Sequence, residues 1–423
     1  MNRKGFDLDW ITIFLYMMLA IVGWSTVFAV SYFSYDDALP FLSTAHGKQL
    51  IFICVAMVVA VLILFLDLRF IEGISYLLYG LSIFLLLLVF LVGKRVNGAL
   101  AWLPIFGFSF QPAEVAKIAT ALALARFMSS IGFSLNNARS LGIAIGIVIL
   151  PALIVILQND TGSALVFFSL LIVFYREGLN WLIPALIILL AALAVVTLWL
   201  GKPIWICLGL LTLAGISFAF SFNKRSWGRD MMIYLIVTGI MSGYVFSVDF
   251  IVDKLPTHQQ NRIFVLFNPT IDPQGVGYNV IQSKIAIGSG GLTGKGYKQG
   301  EYTKSKFVPM QETDFIYCTV GEELGWLGSS FVLMLFFALI WRIKIMAENS
   351  KTKFSRIYGY GIISILFFHI LVNVGMTVGL MPVIGIPLPF FSYGGSSFLS
   401  FTILIFLMVN LYSFKSSVLG SKL

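Results

Sequence analysis

Apolar residues run along this chain in long blocks separated by short polar interruptions. A helix needs about 20 mostly apolar residues to cross a bilayer. Twelve blocks meet or approach that length, near 10–31, 50–66, 74–93, 112–130, 139–157, 161–176, 180–200, 203–222, 231–252, 314–342, 357–380 and 397–413. They predict an all-α, polytopic membrane helix bundle of about twelve spans, with 1–423 as a single integral membrane domain. The longest stretch without a clear span is 253–313, 61 residues, far beyond a tight connection. Its Phe264, Val265, Leu266, Ile281 and Ile285 are too apolar for a tether, so short or half-inserted helices packed on the bundle are expected there. Residues 94–111 join KRVNG to AWLPIFGFSFQP, and 381–396 read MPVIGIPLPFFSYGGS, with three prolines and three glycines. Such backbone cannot face lipid with its amides unpaired; it lines a cavity or is covered by protein.

Charge orients the bundle. With the N-terminus inside, the alternate loops carry Arg69, Arg139, Arg176, Lys224, Arg225, Arg229, Arg342, Lys344, Lys351, Lys353 and Arg356, and the tail carries Lys415 and Lys422. That side takes 16 of the 28 Lys and Arg residues; of the other 12, seven lie in 253–313, and long segments escape the positive-inside rule. The short loops then compare as 16 against 5, so both termini are expected in the cytoplasm and 253–313 outside. Composition agrees: 59% of residues are hydrophobic and 11% charged, with a mean hydropathy of +0.95, where a soluble domain has about a quarter charged. The first apolar run starts only after Arg3 and Lys4 and lacks a small-residue cleavage site, so it is expected to be a span and not a removed signal. The net charge of +9 follows topology and argues against nucleic acid, because the basic residues are scattered between spans. Cys54, Cys207 and Cys318 are widely spaced in or beside apolar runs and are expected to pack; the three histidines (His46, His258, His369) form no metal-binding pattern.

Ionisable groups inside spans are costly and are functional candidates by default. Glu114 and Lys117, three apart, share a helix face, either as a polar wall inside the bundle or as a structural ion pair near the outer interface. Glu322 and Glu323 stand about 100° apart on a predicted helix, so at least one faces protein or water. Asp160, in LQNDTGSAL, stands where an N-cap belongs. AIGSGGLTGKG (286–296) fails as a phosphate loop, since the pattern needs glycine at Ser289 and a hydroxyl residue at Gly296, and no strand precedes it. A glycine-rich turn remains, with Lys295 weakly suited to anionic oxygens. Asp272, in NPTIDPQGVGYNVIQS, precedes a proline and reads as turn chemistry. The alternative is an ionised carboxylate on the outer face, beside Arg262 and Lys284, able to act as a general base or hold a divalent cation. Composition and topology alone favour a transporter, which intramembrane acids and Pro/Gly-broken backbone also fit.

Five stretches carry a resemblance: WLPIFGFSFQPAEVAK, NDTGSAL, FNPTIDPQGVGYNVIQSKIAIGSGGLTGKG, TDFIYCTVGEELG and MPVIGIPLPFFSYGGSS. In this order, and over nearly the whole chain, they resemble the SEDS family, the RodA, FtsW and SpoVE proteins of bacterial cell-wall synthesis. PVIGIPLP, and IQS after GYN, look like the RodA branch. The resemblance implies a peptidoglycan glycosyltransferase of cell elongation. Such an enzyme polymerises lipid II outside the bacterial cytoplasmic (inner) membrane, with a class B penicillin-binding protein as its transpeptidase partner. It implies that Asp272 is the essential acid, as general base or as ligand of Mg²⁺ or Mn²⁺, and that Asn268 occupies an earlier position that varies between Asp and Asn.

Trp102, Glu114, Lys117, Arg262, Gln282, Ser283, Lys295, Ser392 and Tyr393 match family positions and are the implied substrate-binding residues. Gln111, Pro112, Asp314, Glu322, Glu323 and Gly394 also match. Lys117, Arg262, Lys284 and Lys295 are the outer-face cations expected to serve the leaving diphosphate. The implied chemistry is inverting transfer between two lipid II molecules, their polyprenyl tails in a groove open to the bilayer. Three positions depart from the pattern. Ala101 stands where an arginine is common, which leaves Lys94 or Arg95 to replace it; Ala113 replaces the serine of QPSE; and Met310 replaces a glutamate, with Glu312 two residues on. Relatives typically have ten spans, so 203–252, two helices around NKRSWGRD, is the expected insertion, and an inserted pair preserves the orientation of the later spans. The rivals are a lipid-linked precursor flippase and a non-catalytic scaffold of the cell-wall machinery, neither of which makes polymer when purified.

Overall fold

The computed structural model describes residues 8–32, 41, 44–96, 98–105, 108–220, 227–273 and 275–419; for Ile105, Phe108, His258 and 414–419 it describes backbone only. Arg3, Lys4, Lys224, Arg225 and Lys422 of the charge argument therefore fall outside the described residues, as does the first half of the NKRSWGRD loop. The chain divides into two compact units, Met1–Leu179 with Tyr278–Leu423, and Asn180–Gly277.

The first unit begins with α1 (Trp10–Tyr32), α2 (Ala45–Leu64) and α3 (Leu68–Val92). Three short strands follow, β1 (Lys94–Val96), β2 (Ala99–Ile105) and β3 (Phe108–Phe110), and then α4 (Pro112–Met128), α5 (Ala138–Leu157), α6 (Thr161–Phe168) and α7 (Leu171–Arg176). The second unit holds α8 (Leu182–Leu200), α9 (Pro203–Phe220), α10 (Trp227–Lys254), α11 (Thr257–Phe264) and a single 3-10 turn, Pro269–Ile271. The division falls in the first turn of α12 (Val276–Ser289), after which the first unit resumes with α13 (Glu301–Lys304), α14 (Ile316–Glu348), α15 (Lys353–Thr377) and α16 (Gly395–Leu419).

Ten of these helices are long and apolar enough to cross a membrane. The two expected spans not among them are 112–130, where α4 has 17 residues, and 161–176, which breaks into α6 and α7. The 253–313 segment folds into short helices and one 3-10 turn. The antiparallel sheet β1-β2-β3 is an addition that the apolar pattern does not show. β1 and β3 have three residues each and β2, ALAWLPI, has no alternation, so none reads as a strand by periodicity; the cross-strand pairs, Lys94 to Trp102 and Leu103 to Phe110, are what form them. The hairpin is tied to the helices by Leu100 N–H, which donates to Gln158 O (2.9 Å), while Gln158 Nε2 donates to Leu86 O (2.7 Å).

Helix α4 is buried along most of its length and packs against α3 and α15. Its alanines make this possible, because helices lacking a hydrophobic drive for association approach closely where side chains are small. At the crossing with α15, a Cβ on Gly361 would stand 3.2 Å from the Ala121 methyl. In the second unit, by contrast, α8, α9 and α10 expose long rows of Leu, Ile and Trp side chains. Such surface suits lipid and would be a liability in water.

Candidate active site

Asp272 belongs to the second unit, at the end of the 3-10 turn. Asn268 starts that turn, its Oδ1 accepting from Thr270 N–H (3.1 Å). The half-buried Asp272 carboxylate then accepts the Val276 N–H at Oδ2 (3.0 Å), the first amide of α12. An anion at this end of a helix is favoured by the unpaired amides and the helix dipole. The turn reading of Asp272 is therefore right, and the turn is what seats the carboxylate on a helix N-terminus. Both glycines of the DPxGxGY pattern have a steric cause here. A Cβ on Gly275 would lie 2.5 Å from Asp272 Oδ2, and one on Gly277 would lie 2.1 Å from Pro269 O and 2.6 Å from Asp272 O. Arg262 sits half-buried on α11, which packs against the same 3-10 turn. Gln274 falls outside the described residues.

The remaining candidate residues lie in the first unit, where three groups form. Lys117 Nζ donates to Glu114 Oε1 (2.8 Å) and to His369 Nε2 (2.9 Å), and lies 5.4 Å from the centre of the Phe401 ring. Lys117, Glu114 and His369 are 2%, 1% and 1% exposed, so this is an ion pair inside the protein and not at an interface. Glu114 Oε2 has no hydrogen-bond partner among the described residues. His369 joins this candidate group through its contact with Lys117, and the sequence patterns do not single it out. The histidines form no metal pattern, and the usable signal is instead an ionisable side chain in the middle of an apolar run.

The second group is built on the glycine-rich turn. Helix α14 breaks at Gly325, whose φ of 65° leaves neighbouring backbone groups without helical partners. The carbonyls of Glu322 and Glu323 accept from Lys295 N–H and Gly296 N–H (both 3.0 Å), while Trp326 N–H and Leu327 N–H donate to Gly291 O (2.9 Å) and Leu292 O (3.1 Å). Glycine is required for this approach, since a Cβ on Gly294 would stand 2.1 Å from Glu323 O. The amides of Lys295 and Gly296 thus serve the protein and not an anion. Glu322, fully buried, accepts from the N–H groups of Tyr302 and Thr303 (2.9 Å each) and from Thr303 Oγ1 (2.8 Å), anchoring the start of α13. Lys295 Nζ, a quarter exposed, faces Glu322 (3.3 Å) and Glu301 (3.6 Å).

The third group gathers around the 381–394 loop and the end of α15. Ser283 is buried and donates to Thr377 O (2.8 Å), and Ser392 bonds Thr313 O and Leu388 N–H, so both act as staples between segments. Asp314, half-buried, contributes its backbone carbonyl to Asn373 Nδ2 (2.8 Å). Lys284 is exposed and passes Gly379; Gln282 and Tyr393 are half-buried. Burial and the nearby Glu312 push the Tyr393 phenol above its ordinary value.

Trp102 lies apart on β2, directly across from exposed Lys94, whereas Ala101 is 1% exposed. Gln111 donates to Asp160 Oδ2 (2.8 Å), and Asp160 caps α6 through Ser163 N–H (3.0 Å). Met310 is exposed, and Glu312 pairs with Lys306 (3.8 Å).

The sequence profile of the cell cycle protein family FtsW/RodA/SpoVE matches residues 8–208 and 204–417. Peptidoglycan glycosyltransferase MrdB of Escherichia coli (strain K12) is 34% identical over 346 residues, 82% of this chain and 79% of that one. Peptidoglycan glycosyltransferase RodA of Treponema pallidum (strain Nichols) is 27% identical over 414 residues, 92% of this chain and 94% of its own. Among solved structures, a chain of a peptidoglycan synthase complex, described for its structural coordination of polymerization and crosslinking, has a TM-score of 0.69 and 26% identity, covering 97% of this chain and 99% of that one. With a matching profile across both halves and a fold shared from end to end, the chain belongs to the FtsW/RodA/SpoVE family, the SEDS proteins.

Proposed function

We propose that this peptidoglycan glycosyltransferase polymerises lipid II on the outer face of the bacterial cytoplasmic membrane during cell elongation, with Asp272 as its general base. The observation that carries the reading is the seat of Asp272, a carboxylate placed at a helix N-terminus by a turn in which a Cβ on Gly277 would strike backbone and one on Gly275 would strike the carboxylate itself. In the reaction, Asp272 takes the proton of the acceptor's sugar hydroxyl. That oxygen attacks the anomeric carbon of the donor, the bond from carbon to diphosphate oxygen breaks, and undecaprenyl diphosphate leaves with the electron pair. Configuration inverts.

Charge building on the diphosphate calls for preorganised cations. Exposed Lys284, partly exposed Lys295, half-buried Arg262, and Lys117 from its buried pair with Glu114 are the cations proposed to serve it. Among the described residues no group of three or more His, Cys, Asp or Glu side chains could hold a metal ion. A single carboxylate is nevertheless a usual protein share of a Mg²⁺ site completed by substrate phosphates, so Asp272 fits an ion shared with lipid II. When bound, that ion neutralises charge on the diphosphate. The termini face the cytoplasm, the polyprenyl tails lie against exposed apolar helix faces, and a class B penicillin-binding protein supplies the transpeptidase.

The test is purified full-length protein with lipid II, with and without EDTA. Wild type is expected to make glycan polymer, and Asp272→Asn to lose about a hundredfold or more, the scale of general base catalysis. Wild-type rates in Asp272→Asn would sink the assignment. No polymer from wild type would move the reading to the flippase. Loss with EDTA and recovery with Mg²⁺ would assign the shared ion.

A further inference from the structure

His369 lies 252 positions from Lys117 in the chain, yet its ring touches this lysine, which is buried with a carboxylate. An ammonium has no lone pair and can only donate, so Nε2 of His369 must accept from Lys117. The proton of the neutral imidazole then sits on Nδ1, where it donates to Pro387 O (3.0 Å). The two partners together specify one tautomer. The ring is also held edge-on against Phe401, with centroids 4.9 Å apart. Lys117 faces the ring directly, with Glu114 on the other side of the ammonium. One helical turn further along α15, Asn373 Nδ2 donates to Ile386 O (2.7 Å). Two polar side chains of α15 thus take consecutive carbonyls of the 381–394 loop, and one of them also holds the Lys117 ammonium.

We propose that His369 is the positioning residue for Lys117, a neutral acceptor that fixes the ammonium beside Glu114 and ties its place to the 381–394 loop. This inference rests on the proposed role of Lys117 as a charge serving the diphosphate. A glutamine can replace the imidazole, because its amide oxygen accepts and its amide nitrogen donates at a separation close to that of the two ring nitrogens. Leucine can do neither.

The experiment compares His369→Gln, His369→Leu and Lys117→Met as purified full-length proteins, each checked for monodispersity and thermal unfolding. Polymerisation of lipid II is followed for kcat, KM and pH dependence. Loss of a hydrogen bond to a charged group predicts that His369→Leu falls about tenfold or more. The loss should lie in kcat, with KM retained. His369→Gln should recover the rate, with a rate–pH profile that superimposes on wild type. A folded His369→Leu with wild-type kcat overturns the proposal. So does a folded His369→Gln as slow as His369→Leu, or one missing a limb of the wild-type profile, since the ring would then be moving a proton. If Lys117→Met itself polymerises as wild type, the role of Lys117 fails; if it is slow while His369→Leu is not, only the inference about His369 fails.

Discussion

At the scale of single residues, the DPxGxGY stretch shows how a motif acquires a cause. Its order along the chain marks a turn, but only contacts show that Gly275 and Gly277 make room for Asp272 itself. Gly275→Ala would push a methyl against the carboxylate, and a shift of about 1 Å at a reacting group costs up to about a hundredfold in rate. We expect polymerisation by Gly275→Ala to fall while its melting temperature in detergent stays near that of wild type. Glu322 is the contrasting acid. It was legible as a costly charge in a span, but its partners are backbone N–H groups of α13 and the hydroxyl of Thr303. Glu322→Ala would strand those buried donors, at about 1–3 kcal/mol for each one left unsatisfied. A clear drop in thermal unfolding temperature is expected, and an unchanged one would show that the anchor contributes nothing.

At the scale of elements, the broken helix α14 and the glycine-rich turn explain each other. The sequence shows one continuous apolar run and, 30 residues earlier, a run of glycines; nothing local says that one repairs the other. Gly294 has φ of +82° and no space for a side chain, so Gly294→Ala should cost at least about 1–3 kcal/mol, read as a lowered melting temperature. Helix α1 is tied to α14 by a different device. Asp9 precedes α1, and although burial opposes its ionisation, hydrogen bonds from Arg342 and Thr12 outweigh that and hold its carboxyl below the ordinary value. A carboxyl lowered by folding contributes stability that is present above its unfolded value and lost as pH falls through the folded one. The stability gap between wild type and Asp9→Asn should therefore be level from neutral pH down to about 5 and shrink only below about 4. A gap that closes between pH 7 and 5 would mean that Asp9 is not the group responsible.

At the scale of the whole molecule, orientation is the claim to check. Ser305 and Lys351 are both exposed, one in the 253–313 segment and one between α14 and α15. In a background with Cys54, Cys207 and Cys318 replaced by serine, Ser305→Cys should react with a membrane-impermeant maleimide in cells whose outer barrier is opened. Lys351→Cys should react only once the cytoplasmic membrane is breached. The reverse pattern would invert the proposed topology.

The bilayer is why so much was readable from the chain alone. A span must be a continuous apolar run and basic residues collect on one side, so both properties are written along the sequence in one dimension. The apolar blocks that become ten long helices come from that. The positions of the acids and bases do not. Lys117 finds His369 across 252 residues, Glu322 closes onto α13, and β1, β2 and β3 become a sheet only through cross-strand pairing. These depend on which surfaces meet when helices pack, which no local pattern encodes, and tertiary structure alone decided them.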